Sequence, residues 1–410
     1  MAFNPQRWAR YQFNQQAIYF RHDHPSWFAP NRAGDQLLQQ QTQELTAVRQ
    51  KFLARLPDAE AKAYMGRYQY LSAENLQELW FHITNRCNLS CRHCLFTSGP
   101  NADGELSAEL ILGRAAEAAE LGCHIFALTG GEPLCHPEFD QILNGLLAIP
   151  DAHVVILTNG LLIEQLLAID CDLSRVHLQV SVDGLENQHD AIRGNGSFAK
   201  LQRQLLLLKQ RQLPFTLSMC VERRTLQDMA ALVEFAAEVG ARTLHYLWYF
   251  VLGRGSDAGY VPAEEILPEF VAAVEQAEAL GIQIDNLTAL KTQVFAPAGT
   301  IHDGSSSGWE SAAIGWDGQL YPSAALVGNE QLATLIEVDL KTAWQQSPVL
   351  EEIRKATIAA DTSALRYFTG GGDLDHSFIH GGEFLGSDPY LPLYEQIMLW
   401  LIEREAMRAK

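Results

Sequence analysis

Short apolar, β-rich runs alternating with amphipathic helical stretches predict an α/β fold built on a parallel sheet over residues 77–255 of this 410-residue chain. The runs LWFHIT, HIFALT, VVILTN, VHLQVSV, FTLSMCV and LHYLWYF are of strand length and apolar almost throughout, as in strands covered on both faces. Between them lie stretches such as SAELILGRAAEAAELG and TLQDMAALVEFAAEVG, with the period and length of helices. Repeated βα units of this kind suit an open or partial barrel, with a doubly wound sheet as the competing architecture.

The flanks are different. Residues 1–76 are rich in Gln and aromatics, with a turn signal at HPSWFAPNRAGD and a polar helical stretch after it, so an N-terminal helical segment is expected. From 256 onward the rhythm breaks. One helix, PAEEILPEFVAAVEQAEALG, is followed by HDGSSSGWES, a hairpin-like AAIGWDGQLYPS, two short helices, a Gly-rich loop at 370–388 and a final amphipathic helix. That reads as a smaller C-terminal α+β region, 256–410.

Composition sets bounds on function. With 47% hydrophobic and 19% charged residues the chain can bury a sizeable core, and its net charge of −19 argues against nucleic-acid binding. No apolar run reaches the roughly 18 residues that cross a bilayer. MAFNPQRWARYQFNQQ lacks the apolar core of a signal peptide, so a cytoplasmic location is expected. In a reducing compartment, clustered cysteines serve more often as metal or redox ligands than as disulfides.

Three of the seven cysteines are so clustered: Cys87, Cys91 and Cys94, a C-x3-C-x2-C array directly after the first strand of the repeat. Their spacing would also put them on one face of a helix, as small buried hydrophobes. The interleaved Asn85, Arg86, Asn88, Ser90 and Arg92 are loop residues rather than helix-core residues. Structural zinc takes four ligands from paired C-x2-4-C units, and no second pair exists. Three thiolates on one tight loop suit a cubane iron–sulfur cluster with one iron left open to an outside ligand.

Further polar, Gly-punctuated patches follow the next strands: Gly130-Gly131-Glu132-Pro133, then Thr158-Asn159-Gly160, then Ser181 to Gly184 with HDAIRGNGSF and its Arg193 after it. Each alone is an ordinary turn signal. Together they would meet at the C-terminal ends of the strands, the working face of a βα barrel. There the two glycines would allow close backbone approach to a ligand and offer N–H groups.

Across residues 77–250 the cysteine array, GGEP and SVDG make the chain resemble the radical S-adenosylmethionine superfamily, which implies a partial (β/α)6 TIM-like barrel. The resemblance implies one [4Fe–4S] cluster on Cys87, Cys91 and Cys94, with S-adenosylmethionine chelating the fourth iron. His93 would flank that cofactor, and Gly130, Gly131 and Glu132 would hold its ammonium. Asn159, Ser181 and Asp183 would contact ribose and carboxylate, with Arg193 as a carboxylate partner. An external one-electron reductant is implied as well. The tail resembles the SPASM extension of peptide maturases without its thiols. Ser323 stands where the hairpin would carry a cysteine, and LRYFTGGGDLDHSF has none, so no auxiliary cluster is expected. Asp373, Asp375, His376 and His380 would then serve the substrate site, bind a metal or sit on a solvated loop. Cys123, Cys171 and Cys220 read as core residues, and Cys135 as packing or a hydrogen-atom donor. AIYFRHDHPSWFAPNRAGDQLLQQQTQ resembles the start of small leader-binding domains, with a cap on the barrel as the alternative.

The function so implied is radical modification of a ribosomally made precursor peptide by excision, epimerisation or cross-linking, with a leader-binding or accessory protein as a further partner. Radical chemistry on a small metabolite and a non-catalytic iron–sulfur protein are the alternatives. Nucleic acid and membrane are not expected as partners.

Overall fold

The computed structural model describes residues 4–39, 47–56 and 63–408. Its centre is one nine-stranded sheet in the order β10-β9-β8-β7-β6-β5-β4-β11-β12. The six runs read from the sequence form the parallel strands β4 (Glu78–Thr84), β5 (Ile125–Gly130), β6 (His153–Thr158), β7 (Val176–Ser181), β8 (Phe215–Val221) and β9 (Thr243–Trp248). Each pairs with its neighbour in chain order. A doubly wound sheet reverses that order at a switch point; here there is no reversal, so right-handed crossovers put the connecting helices on one face.

The residue pattern follows from this. Leu79, Phe81 and Ile83 on β4, Phe126 and Leu128 on β5, Val154 and Ile156 on β6, and Leu217 and Met219 on β8 are buried. They share one core with Ile111 and Ala115, Ile142 and Leu146, Leu201 and Leu205, and Leu232 and Val233 from the covering helices. Alternate strand residues point to the other face. There the upper parts of β7, β8 and β9 present Ser181, Cys220 and Leu247, and Leu247 is 43% exposed. One face is sealed by helices; the other is a half-open polar lining.

Later segments extend both edges. β10 (Gln283–Ile284) adds parallel to β9. β11 (Ser311–Ile314) adds parallel to β4, and β12 (Leu320–Tyr321) pairs antiparallel with it as the hairpin read from the sequence.

The N-terminal segment departs from the helical expectation. It opens with a three-stranded antiparallel sheet, β1 (Trp8–Phe13), β2 (Gln16–Arg21) and β3 (Trp27–Phe28), before the helix Arg32–Gln39. The turn at Asn14 has φ 45°, a left-handed conformation that Asn tolerates, and it sets Phe13 opposite Gln16. Ile18 and Phe20 then pack with Phe368, Met398 and Ile402 of the tail.

Phe126 sits on an interior strand with no solvent exposure. Phe126→Ala should lower unfolding free energy by about 3–5 kcal/mol, read as a reduced denaturant midpoint at unchanged slope.

Candidate functional site

Beyond Thr84 the chain leaves β4 as an irregular loop that carries all three clustered cysteines. Cys87 and Cys91 are buried and Cys94 is half-buried. The loop is held from several sides. The N–H of Cys87 bonds to Gly99 O (3.0 Å), that of Arg92 to Ile192 O (3.0 Å), and Ser98 Oγ donates to Asn85 Oδ1 (2.6 Å).

The Gly-Gly turn at the end of β5 closes on its root. The N–H of Gly131 donates to Thr84 O at 2.7 Å, and that of Glu132 to Arg86 O at 2.9 Å. A Cβ on Gly131 would lie 2.3 Å from Arg86 O, and one on Gly130 2.3 Å from Thr84 O, so the approach requires glycine. These N–H groups therefore face the cysteine loop. The Glu132 carboxylate, with no solvent exposure, accepts from Thr158 Oγ1 (2.8 Å), Asn159 N (2.7 Å) and Leu134 N (3.2 Å). Burial pushes its pKa up to about 7 against those donors. It ties the end of β5 to the end of β6. Asn159 continues outward, its Nδ2 donating to Asn88 Oδ1 at 2.7 Å and lying 3.9 Å from Cys87 Sγ.

The other side is electrostatic. Asp183, fully buried just past β7, accepts from Arg193 Nε (2.6 Å), His93 Nε2 (2.9 Å) and the Cys220 N–H (3.1 Å). Burial alone would raise its carboxyl, but Arg193 and His93 outweigh that and hold it well below the usual carboxylate range. The carboxylate thus joins β7, the helix Glu186–Arg193 and the cysteine loop. Ser181 remains half-buried on the lining face.

The sequence-derived residues therefore come together, with several of them contacting one another. Two further contributors lie past the last strands. Gly253 and Arg254 follow β9 and touch the cysteine loop directly; the GRG signal after LHYLWYF could have marked a turn but not its destination. Glu222, the residue after β8, is 7% exposed with Oε1 unpartnered, and it interacts with the charges of His93 and Asp183. His93 Nδ1 is likewise buried without a partner. Cys135 lies on the turn Pro133–Cys135, close enough to interact with Cys87.

The thiols suit an iron cluster. Burial pushes the Cys87 thiol up to about 12 and raises that of Cys91, so their thiolates call for a strong local cation, which a bound iron supplies. Among the described residues no three Cys, His, Asp or Glu side chains gather around a single ion. A cubane makes a different demand: each thiolate binds a different iron, so the three sulfur atoms need not meet at one point. A cavity of about 240 Å³ between Trp27, Val294 and Phe368 is lined by none of these residues.

In the tail, the positions where the resemblance leads one to look for thiolates meet each other. Ser323 Oγ donates to Asp375 Oδ1 at 2.5 Å. His376, next in the helix Leu374–Gly381, stacks on Phe250 just past β9 at 3.8 Å between ring centroids, and Tyr390 OH donates to Tyr249 O (3.0 Å). Asp388 accepts from the N–H groups of Asp373 and Tyr390, both at 2.8 Å. Asp373 and Asp375 are bound into these contacts, while His380 is exposed. Burial and then the neighbouring Asp373 raise the Asp375 carboxyl.

Residues 81–236 match the family described as the Radical SAM superfamily. The chain is 30% identical over 181 residues to the antilisterial bacteriocin subtilosin biosynthesis protein AlbA of Bacillus subtilis, covering 43% of this chain and 40% of AlbA. It therefore spans less than half the length of that relative. It is 27% identical over 332 residues to the mycofactocin maturase MftC of Mycobacterium ulcerans, covering 76% of this chain and 86% of MftC. Its fold resembles SuiB of Streptococcus suis bound to precursor peptide SuiA, with TM-score 0.63 and 13% identity over 91% of this chain and 95% of SuiB.

A raised folded-state pKa means that Asp375 keeps its proton in the fold after the unfolded chain has lost it. Stability should then fall as pH rises from the ordinary carboxylate range toward the raised value, and no further above it. Asp375→Asn should flatten that fall, with a larger gain in Tm at pH 9 than at pH 5 in thermal unfolding scans.

Proposed function

We propose, on the premise that this chain carries a radical S-adenosylmethionine domain at residues 81–236, that it modifies a ribosomally made precursor peptide by radical chemistry. The observation that carries the proposal is the convergence of Cys87, Cys91 and Cys94 on one loop, braced by the Gly130–Gly131 turn and the His93–Asp183–Arg193 cluster. These thiols would hold one [4Fe–4S] cluster. With S-adenosylmethionine bound, such a cluster supplies the electron that splits the sulfonium into methionine and a 5′-deoxyadenosyl radical able to take a substrate hydrogen.

The chain's own residues do the holding. Cys87, Cys91 and Cys94 would anchor the metal. His93 and Arg193, both oriented by Asp183, would flank the nucleoside and carboxylate ends of the cofactor. Gly130, Gly131 and Glu132 would form the edge that receives its ammonium, and Asn159 and Ser181 would face its ribose. The half-open lining of β7 to β9 gives the substrate residue a place beside it.

A peptide substrate is supported by the kinds of protein the chain resembles: one serves bacteriocin biosynthesis, and another was solved bound to a precursor peptide. We assign residues 77–255 to the reaction. Residues 1–76 are assigned to the leader, since β3 has a free edge among the described residues where an extended segment could pair. The tail 256–410 closes the mouth. An external one-electron reductant and a small leader-binding or accessory protein complete the partners. No described helix is long and apolar enough to cross a membrane.

Anaerobically reconstituted protein should contain about four irons per chain, the content of one cubane cluster. With dithionite and S-adenosylmethionine it should release 5′-deoxyadenosine, measured chromatographically, and Cys91→Ala should abolish that release. Undiminished release from Cys91→Ala, or about eight irons per chain, would refute the single-cluster reading.

A further inference from the structure

The segment that leaves β9 reaches back across the mouth to the loop that leaves β4. Arg254 makes three bonds there: its N–H donates to Cys94 O (2.9 Å), Nε to Cys91 O (2.7 Å) and Nη2 to Ser98 O (2.8 Å). Gly253 makes the approach possible. It has φ 63°, and a Cβ there would lie 2.2 Å from Leu95 O and 2.4 Å from Cys94 O. The Arg254 charge also acts on Cys91, opposing the burial that raises its thiol.

We propose that Arg254 is a positioning residue that fixes the cysteine loop from beyond the last of the six central strands and favours reduction of the cluster held there. The physical grounds are separable. A guanidinium presents several donors in a rigid fork and can bridge two carbonyl oxygens; an ammonium is a single point and cannot reproduce that geometry. Adding one electron to a cluster adds one negative charge, and a fixed positive charge beside a cluster ligand stabilises the reduced form. The electron comes from the external reductant. Arg193 stands nearby too, but its charge is balanced by Asp183. None of the described carboxylates forms an ion pair with Arg254, so its charge is left to act on the loop.

The potential part of this inference rests on the cluster reading; the loop part does not. Two variants separate charge from geometry. In reconstituted protein, Arg254→Met should make reduction about tenfold less favourable, a shift of about 59 mV to more negative potential for a one-electron couple. Arg254→Lys should stay close to the wild-type potential. In the metal-free full-length chain, amide hydrogen exchange across residues 87–99 should speed up in both variants, more in Met than in Lys.

A folded Arg254→Met protein with the wild-type potential overturns the inference. If the Met variant does not fold, as judged by circular dichroism, wild-type exchange rates in Arg254→Lys overturn it instead. Wild-type protein that takes up no iron would defeat the cluster reading, and the exchange comparison would still decide whether Arg254 fixes the loop.

Discussion

An irregular loop has to present three sulfur atoms in a fixed arrangement while burying much of its own backbone, and this constraint organises the surrounding structure. Helices and strands satisfy their N–H and C=O groups internally; a loop must borrow partners. This one borrows them from the far ends of other elements. The β5 turn takes Thr84 O and Arg86 O, the helix ending at Arg193 supplies Ile192 O, Asn159 reaches Asn88, and Arg254 takes Cys91 O, Cys94 O and Ser98 O. Each partner belongs to the segment that follows a different strand. Parallel strands in sequential order bring all those ends to one side, so the topology of the sheet makes such a loop possible.

The same topology creates a second need. A sequentially ordered parallel sheet that does not pair its first and last strands leaves two edges, and exposed edges are a liability. Here β11 covers the β4 edge and β10 the β9 edge. The tail then links the two sides. Ser323, just past β12, holds Asp375; His376 stacks on Phe250 and Tyr390 holds Tyr249 O, both just past β9. The bridge is built from two hydrogen bonds and a ring stack. Burial and Asp373 favour the protonated Asp375 carboxyl while the Ser323 hydroxyl favours the ionised one, so the charge state at this contact is set by opposing neighbours.

What could be read beforehand follows from the range of the interaction involved. The six strands and the cysteine array are local patterns, and they stand where the periodicity put them. The hairpin around Asp317 and Gly318 was legible for the same reason, because turn residues act on their immediate neighbours. The N-terminal sheet was not. WARYQF and QAIYFR become strands by pairing with each other and packing on Phe368 and Met398, hundreds of residues away. Glu132 and Asp183 were legible as carboxylates at strand ends, but sequence cannot show that Thr158, Asn159, Arg193 and His93 already bond to them. Arg254 was invisible because its partners are carbonyl oxygens, which every residue has.

The charge balance around Cys91 shows how these pieces depend on one another. The chain as a whole carries −19, yet its cysteine loop is met by two guanidinium groups, those of Arg193 and Arg254. A fully buried ion such as Asp183 is tolerable only when paired and hydrogen-bonded, and it receives both. It is also what keeps Arg193 and His93 in place, so the pair contributes geometry more than net charge. The uncompensated positive charge beside the loop then comes from the segment after β9. Thiolates there would bring negative charge into a buried setting, and burial opposes them at Cys87 and Cys91 alike. A bound metal would supply most of the compensation, and a guanidinium fixed by three bonds would add to it without needing a counter-ion of its own. The loop is therefore held and electrostatically prepared by the same contact, which ties its chemistry to how the last strand meets the first.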